Sequence, residues 1–160
     1  MVSYIIPSHS SVASRKETMK PLQVVIDTNV IVSALRSSRG ASYALLWLLG
    51  GDKFEINLSV PLVLEYEAAS KRLIEEFTLT EEQIDDILDY ICSVANYQKI
   101  FYLWRPFLKD AQDEMVLELA VAARCEFIIT YNETDFEGVE RFGLRVITPK
   151  EFLEEIGELR

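Results

Sequence analysis

At 160 residues, 49% of them hydrophobic and 26% charged, the chain has the make-up of an ordinary globular protein and length for one substantial core. Its apolar runs all fall short of the roughly 20 residues that a bilayer span requires, and a net charge of −10 argues against a broad basic nucleic-acid-binding surface. Two cysteines without CxxC spacing and a single histidine, His9, exclude a disulfide framework, a zinc site and histidine acid–base chemistry, predict a reducing cytoplasmic setting, and leave any catalysis to carboxylates.

Residues 1–20 read as an extension outside the fold. The segment Pro7-Ser8-His9-Ser10-Ser11 is polar and aperiodic and lacks the apolar core of a signal peptide. It is expected to be poorly ordered, with Met19 an alternative start. Residues 21–160 then form a single domain. Leu22–Ile26 is an apolar run closed by Asp27, the pattern of a buried parallel strand. Ser42–Leu49 reads as a helix stopped by Gly50-Gly51. Its Tyr43, Leu45, Leu46, Trp47 and Leu49 leave little polar face, so it is either fully buried or meets another chain.

Phe54–Leu58 is a second strand, and Ser59 caps a helix over Val60–Ile74 with Pro61 in its first turn. Thr80-Glu81-Glu82-Gln83 is a capping box, followed by Ile84, Ile87, Leu88 and Ile91 at helical spacing. Tyr97–Leu103 alternates as a strand does. Asp113–Arg124 reads as helix, Phe127–Thr130 and Arg145–Ile147 as strands, and Thr148-Pro149-Lys150-Glu151 as a second capping box opening the last helix. Cys92 and Cys125 fall in separate helix-like segments. Strands alternating with helices predict an α/β fold with a mainly parallel central sheet of four or five strands.

Four acids stand out in that arrangement. Asp27 ends the first strand, Glu65 lies early in its helix, Asp113 begins another, and Asp135 follows the strand ending at Thr130. Active sites of parallel sheets form beyond the carboxyl ends of the strands, where strand order reverses. If Leu22–Ile26 neighbours Phe127–Thr130, all four acids reach that edge. Each alone has an ordinary role as a cap, a solvated helix residue or a turn residue. Together they repel one another unless a cation lies between them, which suggests a metal-dependent phosphodiesterase. All-oxygen donors suit Mg²⁺ or Mn²⁺. Arg36 and Arg39, or Lys71 and Arg72, are candidates for a local basic patch within the acidic whole.

The residues Val25-Ile26-Asp27-Thr28-Asn29-Val30, Ser59-Val60-Pro61 before Glu65, Asp110-Ala111-Gln112-Asp113, and Ile129-Thr130-Tyr131-Asn132 with Asp135-Phe136 resemble a PIN domain over roughly 22–152. Within that family the similarity is to the VapC-type ribonucleases, the toxin components of toxin–antitoxin systems. The resemblance implies a three-layer α/β/α sandwich, Mg²⁺- or Mn²⁺-dependent cleavage of RNA, a homodimer and an antitoxin partner. It assigns catalytic and metal-binding roles to Asp27, Glu65, Asp113 and Asp135, with Asn29, Thr130 and Asn132 as supporting polar residues. Where many members carry an acid, this chain has Asn132, and Asp135 is the substitute fourth acid.

Two other readings compete. The fold can persist in a catalytically weak module that acts through protein partners, which the Asn132 departure and the charge of −10 favour. An aspartyl-phosphate phosphatase is the second, but it needs an Asp two residues after its nucleophile, and that position is Asn29.

Overall fold

The computed structural model describes residues 20–100 and 106–159. The leader, apart from Lys20, and positions 101–103 of the expected strand Tyr97–Leu103 lie outside these residues. Five strands, β1 (Leu22–Ile26), β2 (Phe54–Leu58), β3 (Asn96–Tyr97), β4 (Phe127–Ile129) and β5 (Arg145–Ile147), pair in the order β3-β2-β1-β4-β5. Every pairing is parallel. Six α-helices complete the described chain as an α/β/α sandwich: α1 (Thr28–Arg36), α2 (Ala41–Trp47), α3 (Val60–Arg72), α4 (Glu81–Val94), α5 (Ala111–Ala122) and α6 (Pro149–Glu155).

The central strands are covered on both faces, which is why β1 and β4 are apolar runs without alternation. Val24, Val25, Ile26, Ile128 and Ile129 are wholly buried. Register places Val24 opposite Phe127 and Ile26 opposite Ile129, so the two strands end level. Order reverses between them, because the chain steps outward from β1 through β2 to β3 and then returns to β1's other side for β4 and β5. The expected β1–β4 adjacency is therefore met.

Capping chemistry fixes most helix starts. Thr80 and Thr148 form both capping boxes, with Gln83 and Glu151 reaching back to the cap backbone. Ser59 caps α3, and Pro61 sits in its first turn. At the opposite end of the sheet, Phe152 of α6 is fully buried and meets Phe54 and Phe127 edge-on, with ring centroids 5.1 and 5.4 Å away.

Several sequence expectations are revised: β3 is Asn96–Tyr97, with positions 98–100 of the expected strand Tyr97–Leu103 outside it, and α3 ends at Arg72, not Ile74. Helix α1 has no counterpart among them: Val30, Ile31 and Val32 are β-branched and poor helix formers, but Asp27 caps the helix and burial of all three offsets the propensity. Helix α5 is capped by Asp110, whose side chain accepts from the Gln112 and Asp113 amides, so Asp113 is its third residue rather than its first. Cys125 lies just beyond α5, buried, and neither cysteine is in a disulfide. Finally, α2 is not fully buried: Leu45 is inside, whereas Trp47 is 73% exposed. Among the described residues no helix is long and apolar enough to cross a membrane.

Candidate active site

The level ends of β1 and β4 create the site. The Asp27 amide donates to the Ile129 carbonyl (2.9 Å), and the Thr130 amide to that of Ile147 (2.9 Å), carrying the ladder one residue past each strand. Asp27 and Thr130 are thereby fixed side by side, and the Thr130 hydroxyl donates to Asp27 Oδ2 at 2.8 Å. Asp27 Oδ1 accepts the Thr28 amide at 2.9 Å as the cap of α1. Asn29 Nδ2 reaches both Asp27 Oδ2 (3.3 Å) and Thr130 Oγ1 (3.2 Å), while its carbonyl oxygen accepts the Tyr131 amide (3.2 Å). The Asn132 amide closes the network on Thr130 Oγ1 at 3.0 Å. Of the three expected supporting residues, Asn29 and Thr130 bond Asp27 through their side chains, and Asn132 reaches Thr130 through its backbone amide.

Helix α3 is tied to the same point by a residue the sequence reading missed. The hydroxyl of Tyr66, 1% exposed, donates to the Ile26 carbonyl, so the position beside it, Glu65, stands next to Asp27. A buried tyrosine in a helix reads as core, and nothing local announces a partner 40 residues away. Gln112 was also missed: its Nε2 donates to Glu65 Oε2 at 3.1 Å, linking α3 to α5.

Asp27, Asn29, Glu65, Gln112, Asp113 and Asn132 line one cleft of about 310 Å³. Asp135 does not. It is exposed in the 3-10 turn Glu133–Phe136, on the rim, yet its charge acts on both Asp27 and Asp113. Burial is the main cause that raises the Asp27 carboxyl; the Thr130 and Thr28 hydrogen bonds oppose it, and Asp135 and Glu65 add to it. Asp113 is pushed up to about 6, first by burial and then by the charges of Asp27, Asp110 and Asp135. These acids feel one another's charge.

The donor set is therefore that of a hard cation: carboxylates and the side-chain amides of Asn29, Gln112 and Asn132, with no histidine or cysteine in the lining. Among the described residues, however, no three His, Cys, Asp or Glu side chains stand close enough to hold an ion as placed. Glu65 Oε2 instead accepts from Gln112. The residues fit a divalent ion by kind and location, and binding one requires the carboxylates to draw inward.

The PIN domain profile matches residues 23–134 of this chain. An uncharacterized protein of Methanocaldococcus jannaschii is 29% identical over 147 residues, covering 84% of this chain and 91% of its own length. Among solved structures, VapBC2 from Rickettsia felis bound to a DNA fragment from its promoter shares the fold, with a TM-score of 0.55 at 17% identity. That match covers 78% of this chain and 98% of the other.

Proposed function

The chain belongs to the PIN domain family, and from that premise we propose that it is a divalent-metal-dependent endoribonuclease, the toxin of a toxin–antitoxin pair. The observation that carries the reading is the pairing of a buried, triply hydrogen-bonded Asp27 with Asp113, raised to about 6, in one cleft at the switch point of the sheet. A structural cap needs none of that crowding. Asp27, Glu65 and Asp113 are the residues that would hold Mg²⁺ or Mn²⁺, with Asn132 or Asp135 as the fourth position. Bound there, the ion supplies an acidified water and neutralises charge at phosphorus.

The chain's own contribution is positioning. Thr130 and Asn29 fix Oδ2 of Asp27, the Thr28 amide fixes Oδ1, and Tyr66 and Gln112 hold Glu65 beside it. Asp113, pushed up to about 6 by burial and by the charges of Asp27, Asp110 and Asp135, completes the acidic end of the cleft. Cleavage of a labelled RNA should require Mn²⁺ or Mg²⁺ and stop with chelator. The same ions should raise the melting temperature by mass action. Identical melting with excess Mn²⁺ and with chelator, together with no cleavage, overturns the reading.

The Rickettsia felis neighbour is a VapBC complex, which supports an antitoxin partner for this chain and, with it, a cytoplasmic location. We also propose a homodimer. Tyr43, Leu46 and Trp47 of α2 face Ile87 and Tyr90 of α4 across an apolar groove of about 470 Å³, more exposed apolar surface than a lone helix needs. Light scattering at micromolar concentration should give twice the 18.3 kDa of one chain, and Trp47→Glu should return it to the monomer mass. A wild-type mass of one chain refutes the dimer.

A further inference from the structure

Helices α1 and α3 pack together as they leave the carboxyl edge of the sheet. Each carries a site residue near its start and an arginine in its last turn: Asn29 and Arg36 on α1, Glu65 and Arg72 on α3. In both cases the two residues stand seven positions apart, about two helical turns, so the pair shares a face with about 10 Å between its members along the axis. Arg36 and Arg72 line the same cleft as Asp27, Glu65 and Asp113, and Val32 of α1 and Ala69 of α3, which fall between the two ends in sequence, line it as well. The cleft is therefore acidic at one end, apolar along its middle and basic at the other.

The bland account is that a cation at a helix C-terminus favours the helix dipole. It explains an arginine on each helix but not the placement of both in one cleft. Arg72 is exposed and has no ion pair or hydrogen bond among the described residues, although three carboxylates line the cleft with it. Arg36 pairs with Glu76 at 2.8 Å, where both side chains are about half exposed, at 49% and 51%. Such a pair is weak and readily exchanged. Guanidinium groups bind phosphate oxygens through paired N–H donors, which suits a cleft whose other end would act on a phosphodiester.

We propose that Arg36 and Arg72 form a phosphate-binding end of the cleft, gripping the RNA backbone at a phosphate neighbouring the one that is cleaved. The proposal rests on the ribonuclease reading of the acidic end. It also accounts for how a chain of net charge −10 holds a polyanion: the attraction is confined to one end of one cleft.

The test uses the full chain and a short, unstructured, 5′-labelled oligouridine, read by cleavage with Mn²⁺ and by fluorescence anisotropy with chelator. Arg72→Gln should weaken the interaction about tenfold, as loss of a charge-assisted bond does, with the loss falling on KM rather than kcat. The plot of log K against log salt should become shallower by about 0.7 for each arginine removed. Glu76→Gln, which frees Arg36, should tighten binding. The Mn²⁺-induced rise in melting temperature should persist in Arg72→Gln, which shows that the acidic end and the fold are intact.

Salt slopes and KM values that do not respond to either arginine overturn the proposal while leaving the ribonuclease reading standing. So does a loss confined to kcat, or an arginine dependence seen with polyglutamate but not with RNA. Arginine-dependent RNA binding without any cleavage supports the proposal and sinks the ribonuclease reading. An RNA that the wild-type chain neither binds nor cleaves overturns both.

Discussion

Asp27→Asn should reduce RNA cleavage by more than the roughly 100-fold that loss of a residue merely supporting a metal ligand costs. The amide keeps the shape, and its oxygen still accepts the Thr28 amide at the start of α1. What disappears is a buried charge at the centre of the site. The apo protein should therefore melt no lower than wild type at neutral pH, while its response to Mn²⁺ is lost. The pH dependence gives a second readout. Asp113 moves from its ordinary 3.8 to about 6, so the folded state holds its proton longer than the unfolded chain. Without metal, that group's contribution is most favourable below about pH 4 and is lost as pH rises to about 6. Asp27 is among the causes of the shift, so the fall in melting temperature across this window should be smaller in Asp27→Asn. Intact cleavage and an unchanged pH profile in the variant would remove Asp27 from the site.

Phe152→Ala should produce the largest loss of stability among the substitutions considered, about 3–5 kcal/mol. Its ring is 0% exposed and meets Phe54 of β2 and Phe127 of β4 edge-on, so truncation leaves a cavity flanked by strands that cannot collapse into it. Measured against a total of roughly 5–15 kcal/mol, this is a large fraction, and the melting temperature should fall by about 10 °C or more. The site lies at the other end of the strands, so the folded fraction should still cleave RNA at low temperature. A fall of only a few degrees in a calorimetric scan would show that α6 is peripheral to the core.

What the sequence made legible was its punctuation. Thr80 and Thr148 carry a cap and its reciprocal partner within four residues, and β1 and β4 are short apolar runs ended by polar groups, so local chemistry alone defines them. The pairing of β1 with β4, and with it the meeting of Asp27 and Thr130, followed from strand order in parallel sheets. Less legible were features settled by tertiary packing. Asp110 and Asp113 are equivalent as caps until the backbone before α5 is known. Helix α1 is spelled with β-branched residues that only burial makes helical. Tyr66 and Gln112 act on Ile26 and Glu65 through contacts 40 and 47 residues long, and their own neighbours in sequence carry no trace of it. Asp135 has the right sequence position but an exposed place on the rim, which a linear pattern cannot distinguish from the cleft wall.

The hydrogen bond from Thr130 to Asp27 joins residues 103 positions apart. During synthesis the first strand and its aspartate emerge long before the strand that must lie beside them. A chain stopped anywhere ahead of Thr130 lacks both the neighbour that orients Asp27 and the far wall of the cleft. Closing so long a loop is slow compared with forming a helix. The carboxyl edge of the sheet is therefore complete only after the segment around Thr130 has been made and has docked beside β1. If the chain is the ribonuclease proposed above, this order of events withholds the complete site from RNA until late in synthesis.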